Sequence, residues 1–182
     1  MSIIDFDIDT LSGMAPLRHV TYSLGSNLGD RLEYLQGATN LLKATPGMKI
    51  TGVSSVYETD PVDLPDQPNF LNIVVQAEST LASTVMLERA HAIEDAFDRV
   101  RTVRFGPRTI DVDLIVVGDR VLHNETLTLP HPRAHERAFV LVPWLELEPE
   151  AVLVGRGRVA DLLAGLDASG VRRRDDLRIE IE

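Results

Sequence analysis

The sequence contains no cysteine, so neither a disulfide framework nor a thiolate metal site can be part of its chemistry. Lysine is nearly absent too: of 18 basic residues, only Lys43 and Lys49 are not arginine. No apolar run approaches the ~18 residues that a membrane-spanning helix needs. The opening MSIIDFDIDT is acidic and lacks the basic segment of a secretory signal, so a reducing, cytoplasmic setting is expected. The formal net charge of -10 argues against nonspecific nucleic-acid binding, which requires a basic footprint.

What is present suits one globular domain. The chain has 182 residues, 44% hydrophobic and 25% charged, enough for a core of its own. Residues 1–17 read as an acidic leader and residues 18–182 as the domain. In the leader, DFDID resembles the start of a calcium loop. Thr10 stands where that loop needs glycine and Pro16 where its closing Glu belongs, so calcium is not expected there.

Periodicity then orders the elements. HVTYSLGS (19–26) reads as a strand. Asp30, with Glu33 three residues later, resembles a capping box and opens a helix that Thr45-Pro46-Gly47 stops. KITGVSSVYET (49–59) reads as a second strand and FLNIVVQAES (70–79) as a third, joined by an exposed loop with three prolines. A second helix is expected from about Ser83 to Val100, and a fourth strand over 109–119. This β-α-β-β-α-β order predicts an α+β, ferredoxin-like fold, with helices packed on one face of an antiparallel sheet. A hairpin through Val121-Leu122 and a short helix near Val140–Glu146 follow. VRRRDDLRIEIE, at the end, fits a strand or a tail.

Two segments imitate nucleotide loops. GSNLGDR lacks the GK[ST] ending of a phosphate loop. GRGRVA (155–160) has too little chain after it for a doubly wound domain, so a turn before a short helix is expected.

The chemistry concentrates in RFGPRTIDVDL (104–114). Asp111 and Asp113 point to the same side of a strand, their Cα atoms roughly 7 Å apart, with Ile115 and Val117 expected to continue that side. Paired carboxylates suit Mg²⁺, which combines one or two of them with phosphate oxygens; two solvated carboxylates at a fraying strand end are the bland alternative. Arg99, Arg101, Arg104 and Arg108 form a basic knot beside them, and guanidinium groups bind phosphate in a bidentate way. Arg99 alone could merely answer a helix dipole. In LTLPHPRAHERAF, His131 and His135 have no evident third zinc ligand; His131 and Arg137 fit better as phosphate contacts. Phe70, Asn72 and Phe139 together suit a flat heterocycle, held by ring stacking and in-plane hydrogen bonds, although core packing and a backbone cap would also explain them.

YSLGSNLGDR, SSVYETDPV, DQPNFLN, RFGPRTIDVDL and LTLPHPRAHERAFVL, in this order, resemble the 6-hydroxymethyl-7,8-dihydropterin pyrophosphokinases of folate biosynthesis over roughly residues 19–165. The resemblance implies pyrophosphoryl transfer from ATP to the pterin hydroxymethyl oxygen, with release of AMP. It implies two Mg²⁺ ions on Asp111 and Asp113 and catalytic roles for Arg99 and Arg108. Glu94, Arg101, His131 and Arg137 would lie on the ATP side. Thr59, Val62, Phe70, Asn72 and Phe139 would form the pterin side. Asp98 and Phe105 depart from the residues common in the family, and the 101–108 loop is one residue short. A monomer is expected, with association to other folate-pathway enzymes left open. Two other classes compete: a non-catalytic ferredoxin-like small-molecule sensor, and a Mg²⁺-dependent nucleotidyltransferase, which would release pyrophosphate.

Overall fold

A computed structural model describes residues 15–97 and 109–182. The chain forms β1 (Arg18–Ser26), α1 (Arg31–Lys43), β2 (Met48–Val53), β3 (Tyr57–Thr59), β4 (Phe70–Ser79), α2 (Ser83–Ala96) and β5 (Asp111–Val117). A hairpin of β6 (Leu122–His123) and β7 (Thr128–Leu129) follows, then a 3-10 turn (Ala134–Glu136) and α3 (Ala138–Leu147). A second hairpin, β8 (Val152–Leu153) with β9 (Gly157–Arg158), leads into α4 (Val159–Ala164) and β10 (Val171–Arg173). GRGRVA is thus a turn, the two residues of β9 and the start of a short helix, close to what its position predicts. Among the described residues, no helix is long and apolar enough to cross a membrane.

The main sheet is antiparallel, in the order β10-β3-β4-β1-β5, with β2 also paired to β4. β2 and β3 are two parts of one ferredoxin-like strand, so the expected order holds. Residues 49–59 are not continuous, however. At Ser54 the backbone N–H donates to Val74 O at 2.9 Å, while the Ser54 hydroxyl accepts from Val74 N at 2.9 Å. The side chain takes a place in the ladder that backbone would otherwise fill. Ser55 is drawn aside: its N–H and its hydroxyl both donate to Glu146 Oε1 of α3, each at 2.8 Å.

Strand alternation sends Val20, Tyr22 and Leu24 of β1, with Leu71, Ile73 and Val75 of β4, to one face. Leu35, Ala38 and Leu42 of α1 and Met86, Ala90 and Ile93 of α2 cover it. Each large apolar side chain fully buried there contributes roughly 1.5–3 kcal/mol; Leu35→Ala would cost about 2–5 kcal/mol. α1 begins where Asp30 Oδ1 accepts from Glu33 N at 3.1 Å. Beyond its end, Gly47 turns the chain into β2 with φ 82°, a conformation that side chains disfavour.

The opposite face is not bare, contrary to the one-sided packing expected. Val140, Leu141 and Trp144 of α3 and Val159 of α4 pack on Val74, Ile115 and Val116. α3 is short and apolar on most sides, so its burying face has no clear 3.6-residue signature. A second correction concerns β5. Leu114 pairs with Tyr22 and Val116 with Thr21, leaving Ile115 as an extra residue. This bulge keeps Asp111, Asp113 and Ile115 on the α3 side but turns Val117 into the α1–α2 core.

The C-terminal segment is a strand followed by a strap. β10 extends the sheet beyond β3. Farther on, Gln36 of α1 donates to Glu180 O at 2.9 Å and accepts from Glu180 N at 2.8 Å.

Candidate active site

Three strands end side by side on the α3 side of the sheet. Asn72 of β4 lies opposite Gly25 of β1, and Gly25 opposite Asp111 of β5. Asp113 lies opposite Ser23. The row therefore reads amide, bare backbone, carboxylate. Gly25 is there of necessity: a Cβ on it would stand 2.5 Å from Asn72 Oδ1. The buried Asn72 amide donates to Thr59 Oγ1 at 2.6 Å, which fixes its plane.

Above this row opens a cleft of about 530 Å³, partly open to solvent. Thr59, Val62, Phe70, Asn72, Asp111, Asp113, Arg137 and Phe139 all line it, together with Ser23, Gly25, Asp60, Asp63 and Gln67. The residues expected on the pterin side and the two aspartates therefore share one cavity. Glu94 and His131 line a neighbouring cleft of about 720 Å³, and Asp113 borders both. Arg99, Arg101, Arg104 and Arg108, with Asp98 and Phe105, lie outside the described residues.

Charge in the first cleft is shared. Arg137 Nη1 lies 3.5 Å from Asp113 Oδ2, and its guanidinium sits 5.6 Å from the Phe139 ring centroid, within cation–π range. Its buried Nε has no hydrogen-bond partner among the described residues. His131 Nδ1 accepts from Arg133 N at 3.1 Å, which leaves the ring proton on Nε2. Burial, assisted by Arg137, pushes the imidazole down to about 4, against the opposing pull of Asp111. At neutral pH His131 is therefore an uncharged hydrogen-bond donor through Nε2.

Glu94 is 4% exposed. Its Oε1 accepts from Val112 N at 2.9 Å, and Val112 stands between the two aspartates. This carboxylate ties α2 to the aspartate strand. Asp111 and Asp113 supply hard oxygen donors, and no group of three such side chains occurs among the described residues. Two carboxylates leave most of an octahedral Mg²⁺ shell to water and phosphate oxygens, as that ion prefers. The donor set fits.

Several contributors escaped the sequence reading. Arg133 binds Asp63 at 2.9 Å and Glu136 at 2.5 Å, fastening the proline-rich loop to the 3-10 turn. Asn27 donates to Gln67 Oε1 at 2.9 Å and to Pro68 O at 3.0 Å. Arg31 donates to Asn69 O at 2.9 Å. The loop at 60–69 is exposed, as expected, and is also fastened as a wall of the cleft. GSNLGD does not cradle this wall through glycines; its asparagine holds it by hydrogen bonds. Polar residues flanking a proline cluster are the only sequence trace of this.

The fold is α+β, and its cleft sets a fixed amide and two aromatic residues beside paired carboxylates. The model of the family described as 7,8-dihydro-6-hydroxymethylpterin-pyrophosphokinase (HPPK) matches residues 21–149. The chain is 43% identical over 132 residues to the Bacillus subtilis 2-amino-4-hydroxy-6-hydroxymethyldihydropteridine pyrophosphokinase, covering 72% of this chain and 79% of that one. It is 43% identical over 150 residues to the protein of the same name from Methylorubrum extorquens, covering 82% and 94%. A solved Plasmodium falciparum HPPK-DHPS structure shares the fold, with a TM-score of 0.65 at 16% identity. That match covers 82% of this chain and 43% of the other, so the chain spans under half of that protein. The chain belongs to the 7,8-dihydro-6-hydroxymethylpterin-pyrophosphokinase family.

Proposed function

We propose that Asp111 and Asp113 hold the metal of this pyrophosphokinase, and that Phe70, Asn72 and Phe139 seat its pterin. The reaction follows from the family: ATP gives a pyrophosphoryl group to the hydroxymethyl oxygen of 6-hydroxymethyl-7,8-dihydropterin, in folate biosynthesis. A bond forms between that oxygen and the β-phosphorus as the hydroxyl gives up its proton to solvent. The bond from the β-phosphorus to the α–β bridging oxygen breaks, and AMP leaves with that oxygen.

The observation that carries the assignment of residues is the row Asn72–Gly25–Asp111. A planar ring lying over bare backbone at Gly25 would have an amide at one edge and carboxylates at the other. Phe70 and Phe139 offer apolar faces to it. Mg²⁺, bound as two ions, would supply charge neutralisation and a lower pKa for the attacking hydroxyl. Within the chain, Asp111 and Asp113 fix the reacting end. Arg137 and the Nε2–H of His131 would donate to phosphate oxygens, and Arg99, Arg101 and Arg108 are proposed to add further positive charge. Positioning and electrostatics would then supply most of the acceleration, as in other phosphoryl transfers.

Residues 18–182 are read as one catalytic unit, monomeric and cytoplasmic, that takes its two small-molecule substrates without nucleic acid or membrane. The test is product identity. With ATP, Mg²⁺ and the hydroxymethyl pterin, AMP should accumulate in step with the pterin diphosphate. Release of inorganic pyrophosphate instead would make this a nucleotidyltransferase, and binding without turnover would make it a sensor. Full activity in Asp111→Asn would reject the metal assignment.

A further inference from the structure

Besides Asn27, Arg31 and Arg133, the wall of the cleft formed by residues 59–69 is held by residues that the family model does not reach. That match ends at residue 149, and β10 lies beyond it. β10 pairs with β3 in the register Val171↔Thr59, Arg172↔Glu58 and Arg173↔Tyr57. The ladder runs one step further, because Asp60 N donates to Gly170 O at 3.0 Å. Arg172 Nη2 then meets Asp60 Oδ1 at 2.8 Å. The first end of the loop, immediately after Thr59, is thus gripped by both backbone and side chain.

The other end is gripped through Glu58. Arg174 Nη1 donates to Glu58 Oε2. Arg31 lies 3.7 Å from the same oxygen and donates its other nitrogen to Asn69 O at 2.9 Å. The Asn69 amide also approaches Glu58 Oε1 at 3.5 Å. Glu58 therefore relays the hold of Arg174 to Asn69, the residue before Phe70. Both ends of one loop are thus tied to residues 170–174, the second through Glu58 and together with Arg31 of α1.

We propose that residues 170–174 are a positioning element for the pterin seat, with Arg172 and Arg174 as its working side chains. Resting on the reading of Phe70, Asn72 and Phe139 as that seat, it assigns to β10 the placement of Thr59 and Val62 against the ring. Thr59 is the hydrogen-bond acceptor that orients the Asn72 amide, so a shift of β3 would turn the amide that meets the pterin edge. Neither arginine lines the cleft or the neighbouring one. Their effect should fall on pterin and spare the nucleotide. Arg172 and Asp60 are about half exposed, and exposed pairs contribute little to global stability. Loss of the pair should therefore loosen the wall without unfolding the protein.

The experiment is pterin and ATP–Mg²⁺ binding by calorimetry, with kinetics and thermal melting, on wild type, Arg172→Ala, Arg172→Lys and Arg174→Ala in the full chain. In both alanine variants the pterin Kd and KM should rise about fivefold or more. The ATP Kd should stay within twofold and the melting temperature near wild type. Arg172→Lys should recover most of the pterin affinity. Unchanged pterin binding in both alanine variants overturns the proposal. So does a parallel loss of pterin, ATP and melting temperature, which would mark a purely structural strand. Phe139→Ala is measured alongside: if it binds pterin as well as wild type, the seat itself is misplaced, and that failure is distinct from a failure of the latch.

Discussion

Gly25 and Asn72 face each other across β1 and β4 so closely that one methyl group could not come between them: a Cβ on Gly25 would lie 2.5 Å from Asn72 Oδ1. The contact is with an amide held from its other side by Thr59, so the amide has little freedom to yield. Gly25→Ala should turn Asn72 out of plane. The expected result is a pterin KM at least ~10-fold higher and a stability loss of about 1–3 kcal/mol, the usual cost of overpacking. Steady-state kinetics and urea unfolding check the two parts separately.

Asp111→Asn and Asp113→Asn preserve shape and remove a charge. Turnover should fall by a factor on the order of 10² or more if divalent-cation binding depends on both. The two variants should differ in one respect. Asp113 pairs with Arg137, so its loss also frees that guanidinium, whereas Asp111→Asn leaves the pair intact. Mg²⁺ titration of activity, with far-UV circular dichroism as a control for folding, measures both effects.

Glu94 is buried and braces the aspartate strand through Val112 N. Glu94→Gln keeps an oxygen acceptor at that position and should retain the fold. Glu94→Ala leaves the Val112 N–H without this acceptor and should cost about 1–3 kcal/mol. Chemical unfolding of the pair distinguishes the brace from a role confined to the nucleotide: equal stability of the two variants would remove the brace.

His131 gives a pH prediction whose sign is fixed. Its folded-state pKa, about 4, lies below the ordinary 6.5 because burial disfavours the charged ring. The unfolded chain therefore takes up a proton first as pH falls through 6.5. Stability is fully present above that value and is lost progressively as pH falls toward 4, by up to about 1.4 kcal/mol per pH unit. His131→Gln removes this titration and should flatten that part of the stability curve. Denaturant unfolding at intervals from pH 7 to 4.5 checks it; superimposable slopes for the two proteins would refute it.

Phe139→Ala should weaken pterin binding about 10-fold or more, since it removes a ring and the partner of the Arg137 cation–π contact. ATP affinity should change little. Fluorescence or calorimetric titration with each substrate alone decides the matter.

The sheet was legible because its signals are local. Val20, Tyr22 and Leu24 alternate cleanly, Asp30 caps its helix as its spacing implies, and Asp111 and Asp113 necessarily share a face. What stayed hidden depends on distant partners. Ser54 breaks the second strand because its hydroxyl meets Val74, twenty residues away. The bulge at Ile115 arises in the register with β1 and has no marker in TIDVDLIVV. α3 covers the second face although nothing in AFVLVPWLEL says which side is buried. Motif resemblance pointed to Asn72, Phe139 and the aspartates. Asn27 and Arg133 stand inside resembling motifs, yet nothing in those motifs states their fastening role; Arg172 lies outside them, and only tertiary contact brings all three to the site.

The grip of β10 on β3 joins Arg172 to Asp60 across 112 positions. During synthesis the strands at the centre of the sheet would already have left the ribosome while the substrate wall still lacked its outer neighbour. A chain that ended before residue 170 would keep the carboxylates of β5 while the wall at 59–69 lacked this outer support.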